Sequence, residues 1–212
     1  MNPHRRKLLV TSLAALGAVP CLAPLAAAAQ NRGSGIAELN PSQPPVELKN
    51  PKNIEVLEFF WYGCIHCYNL EPRLEPWLKT LAADVEFRRV PAVLNDRWAH
   101  DGNIYYTFDA LGLLEKLHRP FFDAIHRDRL NSANGPALQA WLEKHNVDPK
   151  KFEATFKSFG VQSKGKRAIR LTSDYRIDGT PALAVHGRYV VSSSNEMLDH
   201  VDKLIAAIRK HK

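Results

Sequence analysis

Cysteine is scarce in this chain: three in 212 residues, at Cys21, Cys64 and Cys67. So few, with two of them spaced Cys-x-x-Cys, exclude the dense disulfide framework that staples small exported domains. No second Cys-x-x-Cys and no Cys/His pair at structural-zinc spacing accompanies Cys64 and Cys67, and Tyr68 stands where haem attachment needs a histidine. Long basic runs interleaved with aromatics are absent too, which leaves nucleic-acid binding without support. A clean membrane-spanning run is also missing, because the apolar stretch Leu8 to Leu25 is interrupted by Pro20 and Pro24.

What is present begins with a leader. His4-Arg5-Arg6-Lys7 supplies a basic start, Leu8 to Leu25 an apolar core and Ala27-Ala28-Ala29 a small-residue cleavage site, so residues 1–29 read as a secretory signal cut near Ala29. A membrane anchor is the alternative that the prolines and the small-residue flank argue against. Lipid attachment at Cys21 is disfavoured by Pro20 in place of a small residue, and Arg5-Arg6 leaves the export route open between the general and twin-arginine pathways. Removing the leader takes away three basic residues and no acid, so the formal charge falls from +7 to about +4. The remaining chain of about 180 residues is enough for one sizeable core or a core with an insertion. In an exported chain whose mature cysteines are only Cys64 and Cys67, the pair reads as a redox tool rather than a staple.

Hydropathy periodicity gives the organisation. Residues 30–51 are polar and proline-rich, an extended lead-in with a short edge strand expected around Val46 to Leu48. Ile54 to Phe60 is nearly continuous apolar sequence, broken by Glu58, as a strand buried on both faces requires. A helix follows the cysteines from Tyr68 to Leu81, then Val85 to Val90 alternates as a second strand, and this crossover makes the two strands parallel. Between residues 96 and 177 the period turns helical. Ile104, Phe108, Leu111, Leu114 and Leu117 form one stripe, Pro120 begins a further turn, Asn134 and Asp148 open two more helices, Gly160 closes the second of these, and a last helix runs from Val161 to Tyr175. The strand period returns in Ala182 to Val185 and Tyr189 to Val191, a hairpin turning at His186-Gly187, before a final amphipathic helix begins near Glu196. The fold class is therefore α/β, a mixed sheet flanked by helices. The expected division is residues 30–95 with 178–212 as the sheet domain, and 96–177 as a helical insertion domain.

The dithiol lies between a strand and a helix. Cys64 falls at the helix mouth, where backbone N–H groups favour a thiolate, and Cys67 sits about one turn inside, so the indicated chemistry is thiol-disulfide exchange. His66 can place positive charge or an N–H donor near the Cys64 sulfur. Glu58 reads either as a partly buried carboxyl that moves the Cys67 proton or as a structural acid. Trp61 and Tyr62 read either as an apolar substrate surface or as packing residues. A metal-binding module built on Cys64, His66 and Cys67 is the rival from another class.

The order strand, Cys-x-x-Cys helix, strand, helical insertion, Gly179-Thr180-Pro181 hairpin and terminal helix resembles the thioredoxin fold. With Val56-Leu57-Glu58-Phe59-Phe60 before the pair and His66-Cys67-Tyr68 within it, the chain resembles the DsbA family of bacterial periplasmic dithiol oxidases. The resemblance implies a redox-active disulfide between Cys64 and Cys67, donated to unfolded or reduced proteins newly exported to the periplasm. It also implies a cis Pro181 opposite the dithiol, Thr180 offering backbone hydrogen bonds to substrate, a monomer without cofactor or metal, and reoxidation by a DsbB-like quinone-linked membrane oxidase. Two departures stand out. The family's usual dipeptide is Pro-His, here Ile65-His66, and Thr180 stands where valine is common; threonine there is shared with related reductases and isomerases, which keeps those activities open.

Overall fold

The computed structural model describes residues 35–211. The leader expected over residues 1–29, Cys21 included, lies outside them. In chain order the elements are β1 (Ile36–Glu38), β2 (Ile54–Phe60), α1 (Ile65–Leu78), β3 (Val85–Pro91), α2 (Asp96–Ala110), α3 (Leu114–His126), α4 (Gly135–Lys144), α5 (Pro149–Phe156), α6 (Phe159–Asp174), β4 (Ala182–Val185), β5 (Tyr189–Ser192) and α7 (Met197–Lys210).

The strands form one mixed sheet in the order β1-β5-β4-β2-β3. β2 runs parallel to β3, with Glu58 opposite Arg89, and antiparallel to β4, with Phe59 opposite Ala182. All seven β2 residues are buried, as a strand covered on both faces must be. One face packs Val56, Leu183 and Val185 against Leu74 and Trp77 of α1 and Val201 and Ile205 of α7. On the other face, Leu57, Phe59 and Ala184 meet Ala168 and Leu171 of α6. A third cluster joins Phe60, Tyr62 and Cys67 to Phe108, Leu117, Phe121 and Phe122 of the helical segment. Each fully buried large apolar side chain contributes about 1.5–3 kcal/mol, so the carboxyl end of β2 is held firmly where the sheet meets the helices. Among the described residues no helix is long and apolar enough to cross a membrane.

Several boundaries differ from expectation. The short edge strand is β1, not Val46 to Leu48; the Val46 N–H donates instead to the buried Glu55 carboxylate at 3.0 Å. Helix α1 begins at Ile65 and ends at Leu78, with Pro72 and Pro76 inside it. The apolar stripe through Ile104 and Leu117 is split between two helices, because Gly112 adopts φ +68° and the Leu113 N–H closes back on the Phe108 carbonyl at 2.8 Å. Pro120 then lies inside α3 rather than beginning a turn, in a helix whose Leu117, Phe121 and Phe122 are completely buried. Gly160 falls in the first turn of α6, not at the end of α5, because Ser158 caps that helix by accepting the Val161 N–H. The turn from Val185 to Arg188, closed by the Arg188 N–H on the Val185 carbonyl at 3.0 Å, has His186 and Gly187 at positive φ, 52° and 65°, as a type I′ turn requires.

Candidate active site

Strand β2 ends at Phe60, and Trp61-Tyr62-Gly63 carry the chain to Cys64, the N-cap of α1 with φ −86° and ψ 116°. The Cys64 N–H donates to the Trp61 carbonyl at 3.0 Å, and the Cys64 carbonyl accepts the Tyr68 N–H at 3.1 Å. Extended backbone at the cap turns the Cys64 side chain out of the helix while Cys67, one turn on, points into the core. Cys64 is half-buried, Cys67 is 0% exposed, and both are free thiols. Across the groove the Cys64 Sγ lies 3.2 Å from the Thr180 carbonyl oxygen, to which it donates. The Thr180–Pro181 peptide is cis, and Pro181 is buried.

These surroundings split the two thiols. The Cys67 thiol stabilises a Cys64 thiolate by donating to it. Partial burial opposes ionisation, but the Thr180 side chain and the backbone N–H groups of Cys67 and His66 add to the thiolate's support, and the Cys64 pKa falls to about 5. Burial pushes Cys67 the other way, reinforced by Cys64 and Glu58. At neutral pH the reduced site therefore holds a Cys64 thiolate beside a Cys67 thiol.

The remaining expected residues occupy distinct places. His66 is exposed, and its N–H, rather than a buried imidazole contact, supports the sulfur. Glu58 is 0% exposed on β2. Burial raises its pKa to about 8; Arg89 opposes this and Glu71 reinforces it. Arg89 Nε lies 3.0 Å from Glu58 Oε2, out of line for a hydrogen bond. Tyr62 is a core residue, 1% exposed, with its hydroxyl 2.9 Å from His118 Nδ1. Trp61 stays half-buried beside Cys64.

Sequence reasoning missed the charged group beneath the dithiol. Arg89 bridges Glu58 and Glu71, reaching the latter from Nη2 at 3.1 Å, and His118 Nε2 stands 3.5 Å from Glu71 Oε1. Burial alone would raise Glu71, but His118 and Arg89 together hold its carboxyl below the ordinary range. The available signals were positional: Glu71 follows Cys67 by one helical turn on the buried side of α1, and Arg89 is the β3 register partner of Glu58.

Comparisons with known proteins agree with this geometry. A family model described as a DSBA-like thioredoxin domain matches residues 84–206. The thiol:disulfide interchange protein DsbA of Burkholderia cepacia is 40% identical over 185 residues, 87% of this chain and 86% of that protein. Its counterpart in Bordetella pertussis is 39% identical over 203 residues, covering 93% and 94% respectively. The crystal structure of Pseudomonas aeruginosa DsbA superposes with a TM-score of 0.77 at 33% identity, over 84% of this chain and 94% of that one. A half-exposed thiolate at a helix mouth, paired with a buried thiol in a thioredoxin-like fold, is the chemistry those relatives are named for, and the chain belongs to the DsbA family of thiol:disulfide oxidoreductases, donors of disulfides to protein thiols.

Proposed function

We propose that Cys64 and Cys67 form the redox-active disulfide and that substrate attacks at Cys64. The observation that carries this reading is the asymmetry of the pair: Cys64 is accessible with its pKa pulled to about 5, whereas Cys67 is sealed in the core. In the oxidised enzyme a substrate thiolate attacks Cys64 Sγ, a substrate–Cys64 disulfide forms, and the Cys64–Cys67 bond breaks with its electron pair leaving on Cys67. Cys67, whose surroundings favour the thiol, takes up a proton. Glu58, with a pKa of about 8 and acting electrostatically on Cys67, is the carboxyl suited to supply it. A second substrate thiolate attacks the substrate sulfur of the mixed disulfide, and Cys64 leaves as a stabilised thiolate. Leaving-group ability rises as thiol pKa falls, so the same surroundings that lower the Cys64 pKa make the enzyme an oxidant.

Thr180 and Pro181 form the substrate side of the groove. The Thr180 carbonyl, which accepts from Cys64 only while that sulfur carries its proton, is free to accept a backbone N–H from an extended peptide once Cys64 is in disulfide linkage. His66 contributes through its N–H at the helix mouth, with its solvent-screened imidazole a smaller influence. The family membership and the expected leader support the periplasm as compartment, reduced exported proteins as substrates, and a DsbB-type quinone-linked membrane oxidase that accepts electrons from Cys64 and Cys67. The chain acts as a monomer, built from a thioredoxin-like domain of residues 30–95 and 178–212 around a helical domain of residues 96–177.

Alkylation of the reduced protein as a function of pH, with the labelled cysteine located by mass spectrometry, tests the assignment. Modification of Cys64 with a midpoint near pH 5 supports it. Modification of Cys67, or no labelling below pH 8, overturns it.

A further inference from the structure

The loop before the dithiol is fastened to the helical segment by a group that the exchange reaction does not use. Trp61 stacks on Trp98 of α2, ring centroids 4.4 Å apart and planes 11° from parallel. Its indole Nε1 donates to Asp101 Oδ2 at 2.8 Å. Asp101 is 1% exposed, and its other oxygen accepts the Ser132 hydroxyl at 2.5 Å. Arg97 completes the group: its Nε lies 3.3 Å from Asp101 Oδ2 and its Nη2 donates to Ser132 Oγ at 2.9 Å. A buried carboxylate with such partners is expensive to assemble and needs every one of them. Apolar packing would hold α2 against the loop between α3 and α4 at lower cost. What the carboxylate adds is direction, because it fixes one edge of one indole.

That indole belongs to the residue whose backbone touches both cysteines. The Trp61 carbonyl accepts the Cys64 N–H at 3.0 Å, and the Trp61 N–H acts on the Cys67 sulfur, favouring its ionised form. The ring also folds back over Gly63, where an added Cβ would lie 2.3 Å from an indole carbon. Glycine is therefore required at 63 by the position of Trp61, and the loop has no side chain of its own there to hold it. Its neighbour Tyr62 is held separately from α3, its carbonyl 2.8 Å from His126 Nε2. Consecutive loop residues are thus gripped by α2 and α3.

We propose that Asp101 is a positioning residue for the dithiol: by holding the Trp61 indole against Trp98, it fixes the backbone dipoles around Cys64 and Cys67, so that the helical segment helps set the reduction potential. The proposal rests on Cys64 and Cys67 being the exchanging pair. Without the anchor the indole is free to turn, the Trp61 carbonyl that holds the Cys64 N–H follows, and the Cys64 thiolate loses part of its support at the helix mouth relative to the disulfide. Only part of this charge-assisted hydrogen bond bears on the Cys64 thiolate, so the equilibrium constant with glutathione should move about 3- to 10-fold toward the oxidised protein.

The test compares wild type, Asp101→Ala, Asp101→Asn and Trp61→Phe in three measurements: the glutathione equilibrium, the pH titration of thiolate absorbance, and denaturant unfolding. Asp101→Ala and Trp61→Phe should both shift the redox equilibrium, and Trp61→Phe does so while keeping a ring on Trp98, which covers the case in which Asp101→Ala fails to fold. Asp101→Asn, whose amide oxygen still accepts the indole N–H, should restore the wild-type equilibrium to within about twofold. If the variants lose stability equally in both redox forms while equilibrium and titration stay unchanged, Asp101 is purely structural and the proposal is overturned. A wild-type protein that does not exchange with glutathione would instead overturn the assignment of the pair itself.

Discussion

The disulfide should change from stabilising to destabilising as the pH rises. In the reduced protein Cys64 ionises at about 5, whereas in an unfolded chain a thiol ionises near 8.5. A pKa depressed by folding adds stability that is fully present above the unfolded value and disappears as the pH falls through the folded one. Between these limits the reduced form gains at most about 1.4 kcal/mol per pH unit, or about 2.7 kcal/mol at pH 7. Cys64 is only half-buried, and solvent screening cuts that to roughly 1.4 kcal/mol. Against it stands the loop-closure benefit of the disulfide, about 1.9 kcal/mol for a ring of some four residues. Glu58 is present in both forms and largely cancels. The oxidised protein should thus be more stable by about 2 kcal/mol at pH 4, with the two forms crossing somewhere between roughly pH 6 and 8. Urea unfolding of both forms from pH 4 to about 7.5, below the range where Cys67 ionises in the unfolded chain, gives the comparison directly. A stability difference that does not change with pH would refute the reasoning, because it would mean that folding does not favour the Cys64 thiolate.

Other consequences can be measured in the same preparations. Cys64→Ser should abolish oxidation of a reduced model protein, while Cys67→Ser should accumulate a mixed disulfide with it, visible on non-reducing gels. Glu58→Gln should stabilise the protein, by about 1–3 kcal/mol at pH 7, because the wild-type carboxyl, raised to about 8, withholds its charge at growing cost as the pH climbs from about 4.5 to 8; the gain should level off above pH 8 in denaturant titrations. The same variant should slow the formation of the mixed disulfide in stopped-flow experiments. His66→Ala should raise the Cys64 pKa by well under one unit, since the exposed imidazole is lost while the N–H remains, and thiolate absorbance at 240 nm reads this out.

Much of the fold was legible because its strongest signals are local. Strand β2 begins and ends where its apolar run does, and the β4–β5 hairpin follows from His186-Gly187, two residues that tolerate positive φ at a tight turn. Edge strand β1 was not legible: its three residues owe their conformation to pairing with Tyr189–Val191 of β5, far along the chain. The break between α2 and α3 depends on one glycine inside an otherwise continuous stripe, which periodicity averages over. In the site, the contrast between Cys64 and Cys67 follows from spacing at a helix mouth. The contact from Cys64 to Thr180 spans 116 positions, and only family resemblance anticipated it. Arg89, Glu71, His118 and Asp101 escaped notice because each looks like a surface residue until sheet register and helix docking bury it.

By lowering the Cys64 pKa to about 5 the fold favours the reduced dithiol, and so makes the protein an oxidant. The most direct test is the reduction potential of the Cys64–Cys67 pair, obtained by equilibrating the protein with glutathione buffers at pH 7 and quantifying both redox forms after acid quenching. The potential should lie well above about −200 mV, oxidising enough to draw electrons from the thiols of an unfolded protein. A value near −270 mV, roughly that of thioredoxin, would contradict it.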